Sequence, residues 1–192
     1  MNHQIIIIIL GIFLMMGCKS TNKLLQNQRY NIFTDELDSY STSGDATWAK
    51  SGSVISCNSG EGYIYTNRAF QYFHLKAEFL ADDSVNSGIF FGCEGPEVSA
   101  PTCFEANIWD NHPNQEFRTG SLVTRQQPMS VVNTVNKWSI YEIKSEPGKI
   151  RIWINGILTV NYEVNEVKPG PVIFQKFGEG SIQFRNVRIH TL

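Results

Sequence analysis

Hydrophobic and polar residues alternate along much of the chain with the period of two that is typical of β-strands. The clearest segments are 74–79 (HLKAEF) and 149–155 (KIRIWIN). Because successive side chains of a strand point to opposite faces, each segment predicts one buried and one exposed face. Further strand patterns occur at 53–57, 62–66, 87–92, 104–109, 138–144, 157–162, 172–177 and 181–189. No segment keeps a helical period over eleven residues.

Turn residues separate these segments. Asn155-Gly156 stands between two apolar runs and predicts a tight hairpin, since both central residues of a type I′ turn need positive φ. Ten strands without a repeat period predict an all-β antiparallel sandwich or barrel, and the missing repeat argues against a propeller. Two longer irregular segments, 92–103 and 110–119, are candidates for site-building loops.

The chain starts with an apolar run, Ile5–Met16, that is about twelve residues long. This run is shorter than the roughly 20 residues of a membrane-spanning helix, and its length fits a secretory signal. The following 14–18 (LMMGC) resembles the lipobox of bacterial lipoproteins, in which Cys18 would be lipidated. The alternative is a buried N-terminal strand or helix with an incidental cysteine.

The lipobox interpretation predicts three regions. Residues 1–18 are a lipoprotein signal peptide, 19–34 a polar tether, and 35–192 a single β-sandwich domain. An exported lipoprotein of the bacterial cell envelope, on the periplasmic or outer-membrane side, would be held to the membrane by its lipid.

The composition of the chain limits the classes of molecule that it is expected to bind. The 192 residues contain 16 Lys and Arg against 18 Asp and Glu, which gives a net charge of −2. This near-neutral balance supplies no field to attract a nucleic acid and fits a neutral carbohydrate. The chain is rich in aromatic residues, with 12 Phe, 7 Tyr and 4 Trp. Such side chains build a core and also stack on sugar rings.

Three cysteines remain after Cys18. Cys93 and Cys103 flank the segment 94–102, and in an oxidising compartment they could form a disulfide that joins its ends. Zinc binding is the rival interpretation, but no CxxC or HxxxH spacing supports it. Cys57 is expected to be a buried thiol.

Alternation along the predicted strand 104–109 also indicates a functional face. It places Phe104, Ala106 and Ile108 on one side of a strand, and Glu105, Asn107 and Trp109 on the other. The first set has the character of core. The second combines a carboxylate, an amide and an indole, which is a suitable mixture for sugar hydroxyls and a sugar ring. The alternative is a solvated sheet face with one half-buried tryptophan.

Two other features of the sequence each have two interpretations. Trp153 shares a face with Arg151 and is either a second stacking residue or a cover over the arginine stem. The sequence Asp110-Asn111-His112 is a weak metal motif, and its other interpretation is an Asx turn at a strand end.

Eight short motifs occur in an order that characterises a known family. They are 62–66 (GYIYT), 73–79 (FHLKAEF), 86–91 (NSGIFF), 104–111 (FEANIWDN), 119–122 (TGSL), 137–139 (KWS), 154–156 (ING) and 184–189 (FRNVRI). Together they cover roughly Asp35 to the C-terminus, and the ordered set resembles the 3-keto-disaccharide hydrolase domain family. The resemblance implies a jelly-roll sandwich of the concanavalin A-like lectin/glucanase type, often exported or lipidated.

The resemblance further implies cleavage of 3-keto-glycosides, by hydrolysis or by elimination followed by hydration. A ketone at C3 acidifies the C2 proton, so a positioned base can remove it and expel the C1 substituent. Within the matching motifs Glu105 and Asp110 are candidates for ligand contact or proton transfer. Asn86, Asn107 and Gln175 are candidates for hydrogen bonds to hydroxyls or to the ketone. The sequence requires no cofactor, and a divalent cation that helps the enolate is compatible with it.

Three positions depart from the family pattern. Asn107 stands where glutamine is usual, Gly92 where arginine is usual, and Phe177 where histidine is usual. The lost imidazole and guanidinium favour an alternative, a non-catalytic glycan-binding lipoprotein on the same fold. His112 is the candidate replacement for the missing imidazole in a catalytic site. A purely structural envelope lipoprotein is the third hypothesis.

Overall fold

The computed structural model describes residues 28–33, 40–95 and 97–192. Within them the chain forms strands joined by turns, with one 3₁₀ turn at Gln115–Phe117. The strands are β1 (Arg29–Asn31), β2 (Tyr40–Gly44), β3 (Trp48–Ser51), β4 (Val54–Cys57), β5 (Gly62–Thr66), β6 (Phe73–Ala81), β7 (Asn86–Phe91), β8 (Phe104–Ile108), β9 (Ser139–Glu146), β10 (Lys149–Ile154), β11 (Ile157–Glu163), β12 (Ile173–Phe177) and β13 (Ile182–Thr191).

The strands form two antiparallel sheets that bury one core. The larger sheet has the order β11-β10-β9-β6-β13-β4-β3, with β1 paired to β13, and the smaller has the order β2-β5-β12-β7-β8. Inward-facing aromatic residues of the two sheets touch: the rings of Phe174 and Phe184 have centroids 5.0 Å apart. Burial of such side chains is the main favourable contribution to folding. The predicted all-β sandwich is therefore confirmed.

All ten strands predicted from alternation are present, with ends that shift by a few residues. The hairpin at Asn155-Gly156 is also present, and both residues have positive φ, 51° and 79°. The alternation did not reveal β2 or β3, whose short sequences YSTSG and WAKS lie mainly at the surface. These strands exist because they pair with β5 and β4, which is information that a local pattern does not contain.

The N-terminal regions need one correction. Strand β1 pairs with β13, so residues 28–33 belong to the sandwich and not to the predicted tether 19–34. The signal peptide 1–18, Cys18 and the rest of the tether lie outside the described residues. In the described part of the chain, no helix has the length and hydrophobicity needed to cross a membrane.

Candidate functional site

The outer face of the smaller sheet carries a cluster of aromatic and polar side chains. Strand β8 turns Phe104, Ala106 and Ile108 into the core, as alternation predicts, and leaves Glu105 on the opposite side. The register places Phe90 opposite Glu105, and Gln175 opposite both Tyr63 and Gly88. We call the surface formed by Tyr63, Gly88, Phe90, Glu105 and Gln175 the Glu105 face.

The loop between β7 and β8 covers one end of this face. Cys93 and Cys103 form a disulfide, with Cα atoms 4.0 Å apart, that joins the two ends of the loop. Apolar side chains of the loop, including Val98, pack on Phe90 and its neighbours in a small second hydrophobic cluster. The Tyr63 hydroxyl donates to the Val98 carbonyl at 3.3 Å. The loop is therefore fixed both covalently and by contacts to the face itself.

Glu105 has an unusual electrostatic environment. Burial raises the pKa of its carboxyl to about 7, and the nearby Arg125 cation lowers it by a smaller amount. The guanidinium of Arg125 donates to the Ala100 carbonyl at 2.7 Å and lies over the Phe104 ring. Among the described residues, no salt bridge within 4.0 Å joins Arg125 to Glu105. The carboxyl can therefore exchange a proton near neutral pH, which suits a general base.

Two neighbours of Glu105 supply hydrogen-bonding groups. The pKa of Tyr63 lies above its ordinary value, mainly because the phenol is buried. The hydrogen bond from the Gln175 side chain opposes this increase, and the Glu105 charge adds to it. The phenol therefore remains protonated at neutral pH and can donate. Gln175 is only 7% exposed, and its side-chain oxygen has no hydrogen-bond partner among the described residues. A buried acceptor without a partner is unusual and marks a position where a ligand could donate.

Asp110 does not join this group. Its carboxylate accepts from the Thr134 amide at 2.5 Å, the Thr134 hydroxyl at 2.9 Å and the Val135 amide at 3.2 Å. The Arg118 Nη2 atom lies 3.9 Å from Oδ1 of the same carboxylate. These contacts make Asp110 a structural link between two loops, which corrects its assignment as a proton-transfer residue.

His112 is held in its own loop. Its ring packs edge-on against Trp109, with centroids 4.6 Å apart, and against Phe117 at 5.6 Å. The Asn114 amide donates to its Nδ1 at 3.0 Å. No contact joins His112 to Glu105, so the expected replacement for the missing imidazole is not assembled at the Glu105 face.

The other predicted binding residues separate in space. Asn107 is buried, and its amide donates to the Phe117 carbonyl and accepts from the Ile108 amide, so its side chain serves the loop. Asn86 is half-buried and pairs with Phe177 at the far end of the Glu105 face. Trp153 lies on β10 of the other sheet, which excludes it from this face.

The departures from the family pattern also have structural causes. Gly92 has φ +62°, and a Cβ there would lie 2.8 Å from Val167, so a larger residue requires a rearranged loop. The Phe177 ring lies 5.3 Å from that of Tyr63, centroid to centroid. This end of the face is thus aromatic.

The sequence patterns did not identify three residues that are important to the Glu105 face. Tyr63 alternates with Ile64 in β5, so the strand pattern contained the signal that it faces away from the core. Gly88 leaves the space that the Glu105 side chain uses. Arg125 comes from an irregular segment and had no local signal. Within the described residues, no group of three or more His, Cys, Asp or Glu side chains could hold a metal ion.

Sequence comparison identifies a family. Residues 30–190 match the model of a family described as the 3-keto-alpha-glucoside-1,2-lyase-like domain. The match covers most of the chain and confirms the resemblance carried by the eight motifs. No curated protein matches the sequence significantly.

Solved structures support the fold. A protein of Parabacteroides distasonis ATCC 8503, provisionally described as a glycosyl hydrolase, superposes with TM-score 0.75 at 20% identity, covering 86% of this chain and 100% of that one. The carbohydrate-binding module CBM66 of Bacillus subtilis gives 0.61 at 15% identity, covering 80% and 96%. The β-glucanase of Bacillus licheniformis gives 0.59 at 10% identity, covering 87% and 98%. At these identities the likeness establishes the sandwich fold alone.

Proposed function

Because this chain belongs to the 3-keto-alpha-glucoside-1,2-lyase-like domain family, we propose that it cleaves glycosides already oxidised to a ketone at C3. The observation that carries the proposal is the Glu105 carboxyl, whose pKa burial raises to about 7 beside Tyr63 and Gln175. Family membership supplies the class of substrate, and the geometry of the Glu105 face supplies the candidate chemistry.

Glu105 is the proposed base. Its carboxylate takes the proton from C2, which the C3 ketone makes acidic, and the C–H electron pair forms the C2–C3 double bond of an enolate. A pKa near the operating pH gives both a useful fraction of carboxylate and adequate basicity. An ordinary glutamate, with a pKa near 4.3, would be a weaker base.

Tyr63 is the proposed partner of the enolate oxygen. Since its phenol stays protonated, its single O–H can turn from the Val98 carbonyl, 3.3 Å away, and donate to the charge that develops at C3. The unpartnered Gln175 oxygen can accept from a sugar hydroxyl. These two contacts would hold the sugar with C2 close to Glu105.

Collapse of the enolate then breaks the bond between C1 and the leaving oxygen. A lone pair on the enolate oxygen re-forms the C3 ketone, and the electron pair of the C2–C3 double bond moves to form the C1–C2 double bond. The C1–O bond pair departs with the leaving oxygen, which takes up a proton from water. Addition of water across C1–C2 afterwards gives net hydrolysis. The reaction avoids an oxocarbenium ion, so the paired carboxylates of ordinary glycosidases are not required.

The test uses the full chain with 4-nitrophenyl 3-keto-α-glucoside, in which release of nitrophenol is followed by absorbance. We expect release from this substrate and none from unoxidised 4-nitrophenyl α-glucoside, which lacks the acidic C2 proton. Deuterium at C2 should slow release if proton removal limits the rate. Glu105→Gln should lower the rate by about 10²–10⁴-fold.

A second function is favoured by a different observation. Of the three predicted catalytic residues, Asp110 and His112 make structural contacts, which leaves Glu105 alone with a chemical role. A face with one perturbed carboxyl, several aromatic rings and an open acceptor also suits a non-catalytic glycan-binding module. If the wild type releases no nitrophenol yet binds the keto-glucoside, this second function replaces the first.

We also propose that the protein is an exported lipoprotein anchored through Cys18, as the lipobox sequence predicts. The anchor would place the sandwich at a membrane surface of the cell envelope. Mass spectrometry of the protein from its membrane fraction should find diacylglycerol on Cys18 as the first residue. A mature chain that keeps Met1 would contradict the anchor.

A further inference from the structure

The outer face of the larger sheet carries a straight row of basic residues. Strand register pairs Arg29 with His190, His190 with His74, His74 with Lys144, and Lys144 with Arg151. The five residues come from five adjacent strands, β1, β13, β6, β9 and β10. We call this set the basic row.

The row points away from the core. On each of four of these strands at least one flanking residue is fully buried: Ile189, Leu75, Ile143, Ile150 and Ile152. Since successive residues of a strand face opposite sides, the basic side chains lie on the outer surface. Neighbouring strands are about 4.8 Å apart, so the row is about 19 Å long.

Two carboxylates neutralise one half of the row. Glu142 lies 3.2 Å from His74 and 3.2 Å from Lys76, which follows on the same strand. Glu146 lies 2.8 Å from Lys144 and also pairs with Arg151. Each of these acids is shared between two basic groups.

The other half lacks such partners. Among the described residues, no carboxylate lies within 4.0 Å of Arg29, His190 or Arg188, and Glu78 acts on Arg188 only at longer range. These three residues line a shallow depression of about 490 Å³ together with Tyr30 and Lys76. The surface therefore keeps an excess of positive charge although the whole chain carries −2.

We propose that the basic row binds a linear acidic polysaccharide, one that bears carboxylate or sulfate groups, lying across the strands. The arginine and lysine side chains spread along this surface match an extended polymer with repeated anions, and the two imidazoles between them can hydrogen-bond to its oxygen atoms. Trp153 occupies the next rung, opposite Glu142, with its ring half-exposed and the Arg151 guanidinium 5.6 Å from its centroid. An aromatic ring beside the charges offers a stacking surface to sugar rings, which a lipid headgroup layer does not need.

This surface is separate from the Glu105 face, because the two lie on different sheets of the sandwich. The polymer site is therefore independent of the proposed cleavage of keto-glycosides. It assigns a role to Trp153 that differs from a contact at the Glu105 face.

The test measures binding of the full chain to polygalacturonate, a linear polymer of carboxylated sugars, by affinity electrophoresis or calorimetry. We expect binding that weakens as salt shortens the Debye length to about 3 Å at about 1 M. The double variant Arg29→Gln, Arg188→Gln should weaken binding by about tenfold. Trp153→Ala should weaken binding further without changing its salt dependence.

The matched control is Lys137→Gln with Lys168→Gln, which removes the same charge from exposed positions outside the basic row. It should leave the affinity within about twofold. Unchanged thermal unfolding of each variant excludes loss of the fold as the cause. The proposal is overturned if the control and the Arg29→Gln, Arg188→Gln variant weaken binding equally. It is also overturned if the chain binds phosphatidylglycerol vesicles but not polygalacturonate.

Discussion

The side chain of Glu105 lies against Gly88 on the neighbouring strand: a Cβ added at Gly88 would lie 3.4 Å from Glu105 Oε1. The same Cβ would lie 3.4 Å from the Ala106 carbonyl oxygen. The missing side chain thus provides the room in which the carboxyl is buried while it remains next to Tyr63. Because Gly88 is part of a β-strand, its role is to leave space, and positive φ is not involved.

Substitution at Gly88 tests whether this room matters. Gly88→Ala should keep the fold and most activity, because 3.4 Å is an acceptable contact distance. Gly88→Val adds two methyl groups where the carboxyl lies, while valine suits a strand. We expect at least a tenfold fall in keto-glucoside cleavage with little change in the denaturation midpoint. Equal activity of the two variants would contradict the assigned position of Glu105.

The rate of cleavage should depend on the protonation of Glu105. Since its pKa is raised to about 7, the base form is scarce at pH 5 and predominates above about 8. We expect kcat/KM to rise about tenfold per pH unit below 7 and to level off above it. The measurement is a pH profile of nitrophenol release by the wild type. A profile that is already flat at pH 5 would remove Glu105 as the base.

The ionisation of Glu105 should also make the free energy of unfolding depend on pH, in a direction that its pKa fixes. The folded pKa of Glu105, about 7, lies above its unfolded value near 4.3, so folding favours the protonated carboxyl. Its contribution is complete below pH 4 and is lost as pH rises through 7. Glu105→Gln stays neutral, so it should match the wild type at pH 4 and exceed it by at most about 4 kcal/mol at pH 8.

Glu78 offers a control of opposite sign for these denaturation curves. Hydrogen bonds from Asn186 and then Arg185 lower the pKa of Glu78, so its stabilisation is present above its unfolded pKa and is lost at lower pH. Glu78→Gln should therefore be less stable than the wild type at pH 8 and approach it in acid. The two variants diverging in the same direction would contradict both assignments.

The sequence predicted the fold well because its dominant signal is local. Alternation identifies ten strands, whose inward residues must be apolar for the sandwich to form. The surface strands β2 and β3 and the short β1 escape this signal, since pairing with a distant partner creates them. A strand held by its neighbour needs no apolar stripe of its own.

The site was harder to predict for a related reason. Glu105 and Asp110 are two carboxylates five positions apart, and because Asp110 follows the end of β8, alternation does not determine where its side chain lies. What separates them is a turn 24 residues away, where Thr134 supplies two of the donors to Asp110. Arg125 likewise reaches the Glu105 face from an irregular segment. Long-range contacts of loops leave no periodic trace in the sequence.

The disulfide should control both the stability and the shape of the Glu105 face. Its cysteines are 10 positions apart, and closing a loop of that size contributes about 2–3 kcal/mol. The double variant Cys93→Ser, Cys103→Ser should lose about that much free energy of unfolding. Ligand affinity should fall as well, because the loop packs on Phe90 and so shapes one end of the Glu105 face.

Cys57→Ser serves as the control for the loss of a thiol that is outside the loop and not in a disulfide. We expect it to change stability through the core without changing affinity once its folded fraction is taken into account. A disulfide-free protein with unchanged affinity would show that the loop has no part in ligand binding. Urea denaturation and calorimetric titration of the three proteins provide both quantities.

Asp110 gives a last prediction, which separates structure from catalysis at a residue that the sequence assigned to proton transfer. Its carboxylate accepts from the amide and hydroxyl of Thr134 and from the Val135 amide. Asp110→Asn turns one acceptor oxygen into an amide donor that faces other donors, which should cost about 2–4 kcal/mol of unfolding free energy. The folded variant should keep its kcat within about twofold, since the carboxylate does not reach the Glu105 face. Exposed Asp83→Asn is the isosteric control, with an expected change below about 0.5 kcal/mol. Loss of turnover in Asp110→Asn at unchanged stability would instead make Asp110 part of the catalytic machinery.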